Sequence, residues 1–128
     1  MEFTGSQWLA GDVRSIVIEA PDTNEVYDME IEVKHDEAYA YQNLYIRLST
    51  MFPSGTRDTS ITSLEFLNPN GGWSGKCGGN ECTVILPLQS RFTFPEKGTY
   101  EWSIEPFMRM DTVKGINSIE VVCKTAKP

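Results

Sequence analysis

Several things are scarce in this chain, and each scarcity closes a class of function. There is one histidine, three cysteines, no run of lysine or arginine, and no apolar stretch approaching the ~18 residues of a membrane span. A single histidine, His35, followed at once by Asp36, gives no catalytic triad, because neighbours on a strand face opposite sides. No G-x-S-x-G elbow occurs. The Gly-Lys of "GKCGGNEC" lacks the spacing of a phosphate loop and no helix follows it. Eighteen acidic against eleven basic residues leave a formal charge of −7, a field that repels nucleic-acid backbones and anionic headgroups. The start, "MEFTGSQWLAGD", has no basic and apolar leader and no cysteine to carry a lipid. Its polar "TGSQ" suits a junction, so residues 1–7 are expected to be linker and residues 8–128 a single domain.

Period-two alternation is abundant. "VYDMEIEVKH" sets Tyr27, Met29, Ile31, Val33 and His35 against Asp28, Glu30, Glu32 and Lys34, the pattern of a strand with one solvated face. "NLYIRLST", "TYEWSIE" and "SIEVVCK" repeat it. "RSIVIEA", "ITSLEFLN", "CTVILPL" and "RFTFP" are shorter candidates bounded by turn residues. About eight strands predict an all-β fold, an antiparallel sandwich of jelly-roll type, with an immunoglobulin-like sandwich as the alternative. "FPSGTRD" and "FPEKGTY" read as hairpin-like reversals, and "EPFMRMDTVKG" as a short helical turn.

The cysteines pose a choice. Cys77 and Cys82 have a spacing that zinc knuckles permit, but the second pair is missing, since His35 and Cys123 sit on separate strands. A redox pair wants a helix start, whereas Cys82 runs into a strand. A disulfide closing the glycine-rich loop fits the residue types, as do two free thiols, and the redox compartment decides between them. Cys123 shares a register with Ile119 and Val121 and is expected to be a core thiol. Most carboxylates fall on outward registers, where solvation is the ordinary reading. Tyr39, Tyr41, Tyr45 and Trp73 are aromatics outside obvious core registers, suited to cover sheet ends or to contact a ligand.

Read in order, "EVYDMEIEVKHDEAYAYQNLYIRLSTMFPSGTRDTS", "NGGWSGKCGGN" and "FPEKGTYEWSIEPFMRM" followed by "KGINSIEVV" resemble the GldH family, the gliding-motility lipoproteins of Bacteroidetes. The likeness lies in a charged strand ending at a basic residue and His, then Tyr-x-Tyr-x-Asn-Leu, Pro-x-Gly before Asp-Thr, Gly-x-Trp-x-Gly, a late Pro-x-x-Gly-x-Tyr, and Met-Arg before Gly-Ile. It runs from about Trp8 onward. Two departures stand out: the lipidated cysteine is missing, and Cys77 and Cys82 interrupt the glycines that follow Gly-x-Trp-x-Gly in the family.

The resemblance implies an exported, lipid-anchored protein of the cell envelope, on the periplasmic or surface side, with no enzymatic activity and no cofactor or metal. It would bind envelope proteins of the motility or associated secretion apparatus and meet the membrane only through an N-terminal lipid. In an oxidising envelope compartment, Cys77 and Cys82 are then expected to form a disulfide. The expected contact residues are Tyr39, Tyr41 and Trp73 for apolar area and Arg109 for its fork of donors, with a salt bridge or helix cap as the structural alternative for Arg109. A carbohydrate-binding module using the same aromatics is the second reading.

Overall fold

A computed structural model describes Phe3 and residues 7–20 and 24–126. Ten strands form: β1 (Gln7–Leu9), β2 (Arg14–Ala20), β3 (Tyr27–Asp36), β4 (Asn43–Met51), β5 (Arg57–Glu65), β6 (Lys76–Gly78), β7 (Glu81–Phe92), β8 (Gly98–Pro106), β9 (Thr112–Lys114) and β10 (Ile116–Thr125). Eight of them make two four-stranded antiparallel sheets, ordered β10-β3-β7-β6 and β2-β8-β4-β5, and β1 with β9 makes a small ribbon.

The chain changes sheet between β2 and β3, β3 and β4, β5 and β6, β7 and β8, and β8 and β10. Repeated crossing is the jelly-roll pattern, and it excludes the immunoglobulin-like order, in which the first two strands are neighbours in one sheet. The alternating registers dictate this packing. Met29, Ile31, Val33 and His35 of β3 face Leu44, Ile46 and Leu48 of β4 and Tyr100, Trp102 and Ile104 of β8, all buried between the sheets. Each large apolar side chain buried there contributes roughly 1.5–3 kcal/mol.

Several local expectations give way to packing. "FPEKGTY" is no hairpin, because β7 and β8 lie in different sheets and Phe94 drops into the core between them. Gly98 has φ +133° there, and a Cβ on it would meet Pro53 at 2.9 Å. "RFTFP" makes no separate strand: Arg91 and Phe92 end the twelve-residue β7, and Arg91 takes φ 48° beside a register shift against β3. No helical turn follows Pro106. Val113 is buried and pairs across the ribbon with Trp8, which holds this stretch extended.

The linker expected over residues 1–7 is corrected at two positions. Phe3 is buried, stacks on Trp8 with centroids 4.8 Å apart, and its amide donates to the Asn117 carbonyl at 3.0 Å. Gln7 already belongs to β1. The rest of that segment lies outside the described residues.

Candidate protein-contact groove

The outward register of β4 carries Asn43 and Tyr45, and the neighbouring strand β5 presents Ile61 beside Arg47. The loop after β8 folds against this face. Phe107 donates its amide to the Tyr45 carbonyl at 2.8 Å, and the Tyr45 amide donates to the Met108 Sδ at 3.4 Å. The loop is thereby stitched to β4, and Phe107, Met108, Arg109 and Met110 become one wall of a groove. Tyr41, Asn43, Tyr45 and Ile61 complete it, enclosing about 550 Å³.

The groove is apolar and open. Tyr41, Tyr45, Ile61 and Phe107 each leave at least 42% of their surface in solvent, in contrast to the sealed core. Its walls are held from behind. The Arg47 guanidinium lies 4.8 Å from the Phe107 centroid and pairs with Glu105 at 2.9 Å. Tyr39 meets Tyr41 edge-on at 5.7 Å and donates its hydroxyl to the Asn43 carbonyl at 2.8 Å. The Asn43 Nδ2 donates to the Ser63 Oγ at 2.7 Å, and the Ser63 hydroxyl donates to Glu65. Burial, with Tyr41 adding to it, pushes the Tyr39 phenol above its ordinary range.

Of the four contact residues expected from sequence, the structure brings Tyr41 and Arg109 into this groove. Arg109 is exposed and forms no ion pair among the described residues. Tyr39 is corrected: at 5% exposure it supports the groove rather than presenting surface. Trp73 lies outside the groove and is half-buried. It packs 4.7 Å from His35, donates its indole N–H to the Glu37 carbonyl at 3.1 Å, and plugs one end of the sandwich with Phe66 and Tyr39.

Ile61, Phe107, Met108 and Met110 were missed. Ile61 stands alone among hydroxyl residues in "RDTSITSLE", and Phe-Met-Arg-Met breaks strand period just past Pro106. Those two irregularities were the available signs.

The cysteine choice resolves outside the groove. Cys77 and Cys82 form a disulfide across the β6–β7 hairpin, in the opposite sheet. Cys82 is buried and Cys77 exposed. Cys123 is corrected from a core thiol to a half-buried one at the sandwich's side, its pKa raised by burial and then by Asp28. Among the described residues, no three His, Cys, Asp or Glu side chains gather as a metal set.

The molecule is thus a jelly-roll β-sandwich that displays an aromatic- and methionine-lined groove on an outer sheet face. The chain belongs to the GldH lipoprotein family, whose model matches residues 1–121. It is 28% identical, over 115 residues covering 89% of this chain and 71% of the relative, to a gliding motility lipoprotein GldH homolog from Christiangramia forsetii. Among solved structures it is similar to Xyl-CBM35 in complex with a glucuronic acid containing disaccharide. That match has 14% identity and a TM-score of 0.41, covering 94% of this chain and 74% of the other. Family membership ties the chain to gliding motility and to the lipoproteins of the cell envelope.

Proposed function

We propose that this domain is a non-enzymatic, protein-binding component of the gliding-motility apparatus or the secretion machinery coupled to it. In this reading it is attached to an envelope membrane through an N-terminal lipid, and the groove is its contact surface. The observation that supports it is the groove's composition: Tyr41, Tyr45, Phe107, Met108, Met110 and Arg109 are the residue types enriched where protein interfaces concentrate their energy. The walls are fixed by hydrogen bonds to β4, so little ordering entropy opposes docking. A net charge of −7 keeps the domain body off anionic lipid and leaves protein contact to apolar surface and Arg109.

The sugar reading is less favoured, since Tyr39 is buried and Trp73 is half-buried against His35. Affinity recovery from a detergent-solubilised envelope fraction tests the proposal. Wild type should retain motility or secretion components, and Phe107→Asp should release them. Specific glycan-array binding that depends on Tyr41 and Tyr45 would favour the carbohydrate module instead.

A further inference from the structure

β2 and β10 are end strands of their respective sheets, and among the described residues no strand pairing joins them. Between them runs an open seam of about 420 Å³, lined on its inner side by Ile16, Ile18, Tyr27, Phe94, Val121 and Cys123. At its rim Val17 is 62% and Val122 44% exposed. Apolar side chains flanking two strand ends form a template for an added strand.

Phe3 marks the line such a strand would follow. Its amide donates to the Asn117 carbonyl, and Gln7–Leu9 runs antiparallel to Thr112–Lys114. A separate strand taking that same direction beside Val121–Thr125 would lie antiparallel to β10 and fill the seam. The other end of the same sheet is closed by β6, only three residues long, so this sheet lacks full width on both sides.

We infer that the seam is a strand-acceptor slot, filled by an extended segment of a partner protein that carries apolar residues at alternate positions and a basic residue on its outward register. The inward side chains of that segment would cover Ile16, Ile18 and Val121. Its outward residues meet Glu19 and Glu120, neither of which is in an ion pair among the described residues, whereas Lys124 is already paired with Glu30 at 3.1 Å. This slot is separate from the groove, and either could exist without the other.

The test uses the whole chain and a soluble ten-residue probe peptide alternating valine with lysine and threonine. Hydrogen exchange should slow over Val121–Thr125 and over β2, and thiol reagents should modify Cys123 more slowly. Val122→Lys, an exposed and outward change, should weaken both effects about tenfold through like charge, and Val17→Lys provides a second such variant. No protection at β10, protection at β5 or β6 instead, or equal binding of a glutamate version of the probe would overturn the inference. So would concentration-dependent protection without probe, which would identify a second copy as occupant.

Discussion

The imidazole of His35 lies nearly parallel to the ring of Phe66, with centroids 4.8 Å apart and planes 6° from each other. His35 is fully buried, its Nδ1 is bonded to the Asp36 carbonyl at 2.9 Å, and its Nε2 has no hydrogen-bond partner among the described residues. It therefore acts as an aromatic plate in the plug of Tyr39, Phe66 and Trp73. His35→Ala should cost about 3 kcal/mol by leaving a cavity there. His35→Phe, which stacks alike and removes the orphaned nitrogen, should cost no more than about 1 kcal/mol. Urea unfolding of the two variants checks this, and equal losses would contradict the plate.

Tyr39 links that plug to the groove, and its ionisation supplies a pH signature. Its folded-state phenol is held above the ordinary value, so the stability this confers is present below pH about 10 and is lost as pH rises further. Tyr39→Phe should lower stability by about 1 kcal/mol at neutral pH, through the lost hydrogen bond to the Asn43 carbonyl. Above pH 10 its stability should then fall less steeply than that of wild type. Chemical denaturation at pH 8 to 11.5 gives both slopes.

The glycine loop holds a steric requirement and a covalent clamp. A Cβ at Gly75 would run into the Thr83 carbonyl and come within 3.0 Å of the Val84 Cβ, so Gly75→Ala should destabilise by about 2 kcal/mol. Reducing Cys77–Cys82 should cost about 2 kcal/mol at most, because the loop it closes is short. Protection from hydrogen exchange should fall around β6 on reduction while β4 and β8 stay unchanged. Global unfolding on reduction would show the disulfide to be more than a local clamp.

Alternation made most of the sandwich legible. Met29, Ile31, Val33 and His35 point inward because period two leaves them no other face, and the same holds for Leu44, Ile46 and Leu48. Elements held by distant partners were not legible. β9 is extended only because Trp8 and Val113 pair from opposite ends of the chain, and Phe3 is core only because Trp8 and Asn117 receive it. The groove shared that difficulty. Tyr41 and Arg109 carried local signs, but Ile61 joins Phe107 and Met108 through strand order, which periodicity does not encode. The place of Trp73 was not legible either, because its neighbours in sequence are glycines while its indole is pinned on the distant Glu37 carbonyl.

Groove variants should separate binding from folding. Phe107→Asp and Tyr45→Ser change exposed positions, so each should shift stability by less than about 1 kcal/mol. In an interface core each should weaken partner binding at least about tenfold. Thermal unfolding alongside affinity recovery distinguishes the two effects.

Site-specific photocrosslinking in living host cells tests the central claim most directly, with the reactive residue placed at position 45 in the groove or at position 59 on the same strand pair outside it. The account predicts an adduct with one motility or secretion component from position 45, lost in Phe107→Asp, and none from position 59. Equal adducts from both positions, or no protein adduct at position 45, would contradict it.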